Sequence, residues 1–300
     1  MSATRAEATA EKRLVGVHAG GEPHWVGDGF PVRSLFSFGA QGGAATSPFL
    51  LLDYGGPVEI APSETVRGVG EHPHKGFETV TVVYRGELAH RDSSGGEGVI
   101  GPGDVQWMTA ASGVVHEEMY SREFTRRGGT LEFLQLWVNL PARDKSAPAG
   151  YQTLLRADIP TVALDGVGAS ARVIAGELAG VRGPARTFTP VNLWDLRLPA
   201  GSRVTLPVSK GHNAILVLTN GQVRLGEGKP EALRGPSSAI FSPEGGAVTV
   251  EATEDASLLL LSGEPIDEPI AAYGPFVMNT KEEITEALTE YRTGRMGRLN

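Results

Sequence analysis

The chain has 300 residues, 40% of them hydrophobic and 21% charged, and its formal net charge at pH 7 is −8. This composition is that of a soluble globular protein, and an acidic chain without a basic cluster disfavours direct binding to nucleic acid. Cysteine is absent, so disulfides are excluded and any metal must be bound through nitrogen or oxygen atoms. The longest apolar runs are too short to span a bilayer, so no membrane association is expected and the expected location is the cytoplasm.

The first residues, MSATRAEATAEKR, mix both charge signs and lack an apolar core. A segment of this kind is neither a signal peptide nor a membrane anchor. We therefore predict that residues 1–12 are disordered.

From residue 30 onward, short apolar segments alternate with glycine and proline, of which the chain has 40 and 20. Such segments include ETVTVVYRG, TLEFLQLWVNLP, NAILVLTNGQVRL and AVTVEA. Strands of about five to eight residues between turn residues are typical of a β-sandwich or barrel. The polar stretch PARDKSAPAGYQ (141–152) is the predicted linker, and it divides an all-β chain into barrels at 13–145 and 146–278.

The two halves of the chain can be aligned with each other. ETVTVVYRGEL (78–88) aligns with NAILVLTNGQV (213–223), and each segment ends in a glycine turn. A proline follows each turn at nearly the same interval, which indicates two copies of one β-barrel. In this alignment the histidines and the glutamate of the first copy have no counterparts, because His72, His74 and Glu78 fall on Pro207, Ser209 and Asn213.

The end of the chain, over residues 279–300, has a different pattern. In TKEEITEALTEYRTG, Thr280 and Glu283 have the spacing of a capping box, and Gly294 is a stop signal. Apolar residues recur at helical intervals at Ile284, Ala287, Leu288 and Tyr291. The pattern predicts one amphipathic helix that packs on the outside of a barrel.

Two short segments of the first half carry the candidate metal ligands. In EHPHKGFETV (71–80), His72 and His74 are two residues apart and project from the same face of a strand, with Glu78 at the same parity. In GVVHEEM, His116 and Glu118 are again two apart. Three histidines and one carboxylate from two neighbouring strands leave open positions around a metal, an arrangement that favours non-haem Fe(II) over structural zinc. Manganese, nickel and zinc follow iron as candidates, because nitrogen and oxygen ligands discriminate weakly among these metals.

Five runs of the sequence resemble the pirin family of the cupin superfamily. They are HPHKGFETVTVVYRGELAHRDS, PGDVQWMTAASGVVHEE, LQLWVNLP, SPFLLLDYGGP (47–57) and YGPFVMNTKEEI (273–284). The resemblance implies a bicupin with one iron site, in the N-terminal barrel. It also implies that the iron ligands are His72, His74, His116 and Glu118, with Glu78 in a supporting role instead of a ligand role. Glu117 has the opposite parity and is expected to be solvated or paired.

Other side chains are expected near the site with less specific signals. Phe77, Trp107, Met108 and Gln135 are adjacent in sequence or lie on neighbouring strands, although simple core packing is an equal alternative for each. His90 in AHRDS is a candidate to orient a ligand. The remaining histidines, His18, His24 and His212, are expected on the surface or in loops.

The resemblance implies three functional hypotheses. Bacterial members resemble quercetin 2,3-dioxygenases, which open the central ring of a flavonol with release of carbon monoxide, so the partners would be a small aromatic substrate and dioxygen. In that case Glu118 would be the catalytic residue that takes the 3-hydroxyl proton. The alternative is a redox-sensing iron protein that regulates a transcription factor or metabolic enzyme by protein contact, and the third is iron binding without a flavonoid substrate. Two fused barrels supply the pairing that single cupins obtain by dimerising, so we expect a monomer.

Overall fold

A computed structural model describes residues 10–164, 168–226 and 231–299. The strands of the N-terminal half are β1 (Leu14–His18), β2 (His24–Val26), β3 (Phe30–Ser37), β4 (Phe49–Ile60), β5 (Gly68–His74), β6 (Phe77–Arg85), β7 (Leu88–Asp92), β8 (Glu97–Ile100), β9 (Val105–Thr109), β10 (Val114–Tyr120), β11 (Gly129–Asn139) and β12 (Gly150–Leu154). Those of the C-terminal half are β13 (Thr161–Ala163), β14 (Ser170–Ala175), β15 (Glu177–Leu178), β16 (Val181–Arg182), β17 (Val191–Leu198), β18 (Arg203–Pro207), β19 (Asn213–Asn220), β20 (Gln222–Leu225), β21 (Glu231–Arg234), β22 (Ser237–Phe241), β23 (Ala247–Ala252), β24 (Ala256–Gly263), β25 (Ala271–Tyr273) and β26 (Phe276–Met278).

Helices are few and short by comparison. They are α1 (Phe38–Gln41), α2 (Gly43–Thr46), α3 (Arg122–Arg127) and α4 (Lys281–Arg292), with 3₁₀ turns at Ala142–Asp144 and Arg156–Asp158. None of the helices within the described ranges is long and apolar enough to cross a membrane.

Each half of the chain forms a barrel from a large and a small antiparallel sheet. The N-terminal barrel has a large sheet in the order β12-β9-β6-β11-β4-β3-β2 and a small sheet in the order β5-β10-β7-β8. The C-terminal barrel has the orders β1-β22-β19-β24-β17-β14-β13 and β18-β23-β20-β21. The two sets of orders correspond strand for strand, so the predicted all-β bicupin with its internal repeat is confirmed.

The two barrels exchange one edge strand each. Strand β1 precedes the first barrel in the chain but pairs with β22 of the second, while β12 follows β11 and pairs with β9 of the first. The predicted ranges 13–145 and 146–278 assign each of these strands to the other barrel, and the predicted linker 141–152 includes the first residues of β12.

Ordered chain also begins before residue 13. Residues 1–9 of the segment predicted to be disordered lie outside the described residues. Lys12, in contrast, is 3% exposed, and its Nζ donates to the carbonyl oxygens of His212 and Pro243 on the C-terminal barrel.

The two large sheets pack against each other, and their strands are therefore buried on both faces. Side chains of both sheets form one apolar cluster between the barrels, including Val80, Leu136, Ile215 and Leu261. The inside of the C-terminal barrel is a second apolar cluster that includes Trp194 and Leu216. The N-terminal barrel has apolar packing at one end of its interior, with Phe30, Val83, Ile100 and Leu131, and polar side chains elsewhere.

The predicted C-terminal helix is confirmed as α4. Thr280 accepts a hydrogen bond from the Glu283 N–H at 3.2 Å, and the Glu283 carboxylate accepts one from the Thr280 N–H at 2.9 Å, so the capping box is complete. Ile284 and Ala287 are buried against Phe276 of the β25–β26 hairpin.

Thr280→Ala should increase fraying of α4, because it removes the side-chain half of the capping box. The expected cost is about 1 kcal/mol, which corresponds to about fivefold faster hydrogen exchange of the amides in the first turn. Thr285→Ala is the matched control, because Thr285 lies in the exposed interior of the same helix and should leave the exchange rates unchanged. Equal exchange rates in the two variants would contradict the assignment of Thr280 as the cap.

Candidate metal centre

The three histidines predicted as ligands meet on the inner face of the small sheet. His72 and His74 lie on β5, and His116 lies on β10 directly opposite His72. The ring centroids of His116 are 4.2 Å from His72 and 4.8 Å from His74, and one ligand atom of each histidine lies within 4.8 Å of the other two. Pro73 between the two histidines is tolerated because β5 is the edge strand of its sheet.

Hydrogen bonds leave the Nε2 atoms of these histidines free for a metal. His72 Nδ1 is 2.8 Å from the Gly70 carbonyl oxygen, and His74 Nδ1 is 3.4 Å from the Pro275 carbonyl oxygen. Because a carbonyl oxygen can only accept a hydrogen bond, each Nδ1 carries the proton and each Nε2 has a free lone pair. The Nε2 atom of His116 is buried and has no hydrogen-bond partner among the described residues. A buried nitrogen without a partner is costly unless it binds something, so this donor set fits a metal ion.

Burial keeps two of the imidazoles neutral. His74 and His116 are 4% and 0% exposed. Burial, reinforced by His72, lowers the pKa of His74 to about 3, and burial together with the neighbouring histidines lowers the pKa of His116 well below its usual value. The neutral imidazole is the form that binds metals, so the site is ready for a metal at neutral pH.

Glu118 lies on the same inner face of β10 as His116. One of its carboxylate oxygens and one nitrogen each of His90 and His116 lie within 4.8 Å of one another, so Glu118 adjoins the three-histidine group at His116. Gln106 Nε2 donates to Oε1 and Gln135 Nε2 donates to Oε2, both at 3.0 Å. Thr81 Oγ1 also donates to Oε1, at 3.3 Å. The carboxylate is therefore held in a fixed position by three donors from the large sheet.

These donors belong to a row of polar side chains that crosses the inner face of the large sheet. The row occupies directly paired positions on five adjacent strands, at Ser34, Asp53, Gln135, Thr81 and Gln106. Within this polar row Ser34 Oγ donates to Asp53 Oδ1 at 2.6 Å. Thr81 Oγ1 also lies 3.1 Å from Gln135 Oε1, so its single proton is shared between that oxygen and Glu118. Of this row only Gln135 was predicted from the sequence, although the alternation of β9 also indicates Gln106.

The inference that Glu78 shares a face with the histidines is wrong. A turn at Gly76, with φ of 90°, separates β5 from β6, so the strand period does not continue from His74 to Glu78. Glu78 instead points between the barrels, where Thr109 Oγ1 donates to it at 2.8 Å. Burial raises the pKa of Glu78 to about 7. Glu117, which precedes Glu118 on β10, is paired as expected. Its carboxylate lies 2.5 Å from Arg91 on the outer face of the small sheet.

The other predicted neighbours divide between the site and the core. The rings of Phe77 and of Trp137, which was not predicted, lie 5.1 and 5.2 Å from the His74 ring. For Trp107 and Met108 the core-packing alternative holds, because Trp107 points into the cluster between the barrels and Met108 packs against Ala110 and Val114. Two residues separate Trp137 from Gln135, so strand alternation alone would have placed it on the inner face.

The remaining histidines lie beside the site, at the surface or in a turn, as the sequence predicted. His90 contacts His116, with their Nδ1 atoms 3.4 Å apart, which agrees with the expected orienting role. His18 and His24 lie on the short strands β1 and β2, and His212 lies in the turn before β19.

A cavity of about 320 Å³ opens over the site. Its apolar wall is formed by Val26, Phe30, Val32, Leu51, Phe133 and Trp137. Its polar side is formed by His72, His74, Glu118, Gln135 and Asp53. An apolar cavity of this size with a few convergent polar groups is typical of a small-molecule site.

His72→Ala and His116→Ala should each abolish stable metal binding, because each removes one imidazole from the group. Addition of metal at about 100 times its Kd should stabilise the wild-type protein by about 2.7 kcal/mol, and this gain should vanish in both variants. The measurements are metal content after dialysis and thermal unfolding with and without Fe(II) or Zn(II). His18→Ala is the control, and stoichiometric metal in the His116→Ala protein would contradict the assignment.

Glu78→Gln should stabilise the protein increasingly as pH rises. Below about pH 4.5 the carboxyl is protonated in both states, whereas between 4.5 and about 7 only the unfolded protein ionises, so folding is weakened over this window. Above pH 7 the ionisable Glu78 lowers the free energy of unfolding by about 3 kcal/mol in full. Glutamine avoids this loss, and its amide oxygen can still accept the hydrogen bond from Thr109 Oγ1. Urea unfolding from pH 5 to pH 8 measures the difference. Exposed Glu64→Gln should show no trend, and a pH-independent effect of Glu78→Gln would refute the prediction.

Two family models match the chain. The model described as Pirin matches residues 29–138, and the model described as Pirin C-terminal cupin domain matches residues 193–297. The first contains the histidine segments and the second contains most of the C-terminal barrel and α4.

Relatives and solved structures match over nearly the full chain. A Pseudomonas aeruginosa protein provisionally named quercetin 2,3-dioxygenase PA2418 is 51% identical over 96% of this chain and 100% of its own length. A pirin-like protein of Caulobacter vibrioides is 41% identical over 89% of this chain and 94% of its own. The crystal structure of a quercetin 2,3-dioxygenase from Acinetobacter baumannii is 49% identical with a TM-score of 0.93, covering 97% of this chain and all of that one.

Proposed function

This chain belongs to the pirin family, and from that premise we propose that it is an Fe(II)-dependent dioxygenase that opens the central ring of a flavonol such as quercetin. The observation that carries the proposal is that three histidines meet, the fixed carboxylate of Glu118 adjoins them at His116, and His72, His74 and Glu118 line one apolar cavity. The names of two proteins at 51% and 49% identity support the same reaction class.

The proposed metal ligands are His72, His74, His116 and Glu118. Neutral nitrogens and one carboxylate form a group that suits Fe(II), with manganese, nickel and zinc less favoured, and four such ligands would leave room at the metal for substrate and dioxygen. When bound, iron would supply a Lewis acid for an ionised substrate oxygen and the redox chemistry that dioxygen requires.

Glu118 is proposed as the residue that takes the proton of the flavonol 3-hydroxyl. Its carboxylate faces the cavity beside His72 and His74, and it is 7% exposed. The amides of Gln106 and Gln135 and the hydroxyl of Thr81 fix both oxygens before substrate arrives, so little reorganisation accompanies proton transfer. A base positioned in this way contributes about 10²- to 10⁴-fold to a rate.

The walls of the cavity are proposed to bind the flat rings and exclude water. Phe133 and Trp137 provide aromatic surface, and Leu51 and Val32 provide aliphatic surface. Asp53 stands at the polar side, with Ser34 donating to one of its oxygens. Its carboxylate could accept a hydrogen bond from a hydroxyl group of the substrate. This contact would favour hydroxylated aromatic enols over purely apolar ones.

Glu118→Gln should lower kcat by at least about 100-fold, because glutamine cannot take the substrate proton. The measurement is anaerobic reconstitution with Fe(II), metal quantification, and then oxygen uptake and loss of flavonol absorbance on adding quercetin. Glu117→Gln is the matched control, because this neighbour points outward to Arg91 and should leave turnover unchanged.

Rates in this experiment are compared per bound iron, so that loss of metal is separated from loss of chemistry. Turnover by the wild type that disappears in His116→Ala supports the dioxygenase. Stoichiometric iron without quercetin turnover in the wild type would reject flavonol as the substrate.

A regulatory role is the second candidate, and contacts between the metal site and the C-terminal segment favour it. The Pro275 carbonyl faces His74 Nδ1, and Lys75 next to that histidine forms an ion pair with Glu290 of α4. A change at the metal could therefore reach an exposed helix that a protein partner could bind. In this case Glu118→Gln would change the affinity for the partner, where the dioxygenase proposal expects a loss of turnover.

A further inference from the structure

We propose that Asp92 and His90 fix the proton of His116 on its Nδ1 atom, so that the Nε2 atom of His116 is a bare metal ligand. The proposal rests on the metal-binding function proposed above and names two positioning residues for that site. Neither residue lies among the proposed ligands.

The direction of hydrogen bonding is set at Asp92. His90 Nε2 lies 2.9 Å from Asp92 Oδ2, and since a carboxylate only accepts, the proton of this bond belongs to His90 Nε2. The other oxygen, Oδ1, accepts from Ser94 N, Ser94 Oγ and Gly96 N at 2.6–3.0 Å. Asp92 is therefore held in place by three donors and is 6% exposed.

The direction continues through the second nitrogen of His90. Its Nδ1 lies 3.3 Å from Gln106 Nε2 and 3.4 Å from His116 Nδ1. The Gln106 amide is itself oriented, because its Nε2 donates to Glu118 while its Oε1 accepts from the Tyr151 hydroxyl at 3.2 Å. A donor thus faces His90 Nδ1, which makes this nitrogen an acceptor and His90 neutral.

His116 must complete the pattern as a donor. His90 Nδ1 has one lone pair, which the Gln106 and His116 contacts share. A bare lone pair on His116 Nδ1 would face it at 3.4 Å and be repelled, so His116 Nδ1 carries a proton. A neutral His116 then has a lone pair on Nε2, the buried atom without a hydrogen-bond partner in the described structure. Tyr151 stacks on His90 at 4.6 Å with 12° between the planes, which prevents the ring from turning away.

Asp92→Asn tests the proposal without a change of shape. The three donors at Oδ1 retain the amide oxygen there, so the amide NH₂ faces His90 Nε2 and forces this nitrogen to accept. The proton of His90 then moves to Nδ1, and that of His116 moves to Nε2, the atom meant for the metal. Mutation of residues that support a metal ligand in this way lowers metal affinity by about 10- to 100-fold, and we expect a loss of this size in Asp92→Asn.

Two measurements test this expectation. Nitrogen-15 NMR of the metal-free protein locates the proton on each imidazole, and competition with a chelator gives the affinity for Zn(II). The wild type should show protons on His116 Nδ1 and His90 Nε2, and Asp92→Asn should show both reversed with weaker Zn(II) binding. His90→Gln should retain the His116 proton on Nδ1 and most of the affinity, because an amide offers one donor and one acceptor, while His90→Leu should not.

Asp104→Asn is the control, because Asp104 also accepts backbone N–H groups in a turn of the same barrel but faces no histidine. An unchanged His116 proton position with unchanged Zn(II) affinity in Asp92→Asn would overturn the proposal. If the wild-type protein bound no metal, the proposed function would fail, while the NMR result would still decide the role of Asp92 and His90.

Discussion

The large sheet of the N-terminal barrel is buried on both faces, and the two-residue period of its strands separates two incompatible environments. On β6, β9 and β11 one set of alternate residues packs against the C-terminal barrel, and the other set faces the inside of the N-terminal barrel. A buried polar side chain is tolerated only when its donors and acceptors are matched. The polar row satisfies this requirement collectively, since its members donate to one another and to Glu118. If β6 and β11 shifted by one residue, valine and leucine would face Glu118 in place of the polar row. The hydrogen bonds of the site therefore require this one register of the large sheet.

The C-terminal barrel shows what the same backbone does without this requirement. The strand registers that align Ser34, Asp53, Gln135, Thr81 and Gln106 in the first barrel align Val173, Trp194, Leu260, Leu216 and Ala239 in the second. All five belong to the apolar cluster inside that barrel, and Trp194 stands where the first barrel has Asp53. Strand β18, the counterpart of β5, also presents apolar side chains to the inside of its barrel, at Val204 and Leu206, where β5 presents histidines. The second barrel can thus serve as a packed support for the large sheet that carries the site.

Local patterns predicted most of this organisation. Strand alternation, the repeat and the capping box each depend on neighbours within a few residues, and these predictions hold. The face assigned to Glu78 was wrong because parity assigns a face only within one uninterrupted strand, and the turn at Gly76 interrupts it. The exchange of β1 and β12 between barrels has no local signal, because it depends on pairing with β22 and β9, which are distant in the sequence. His90 was identified only as a candidate, since its contact with His116 depends on the pairing of β7 with β10.

The network around the metal site has acceptor-only groups at two ends, Asp92 and Glu118. Between them, Gln106 donates to both Glu118 and His90, so its amide connects the proton positions of the histidines to the orientation of the carboxylate. Reversing one bond would oppose two donors or two acceptors elsewhere in the same buried network, which costs about 1–3 kcal/mol for each unmatched group. The protein therefore holds a lone pair on His116 Nε2 and a fixed Glu118 through the same set of hydrogen bonds. The stability of the folded barrel and the readiness of the site for a cation follow from one arrangement of protons.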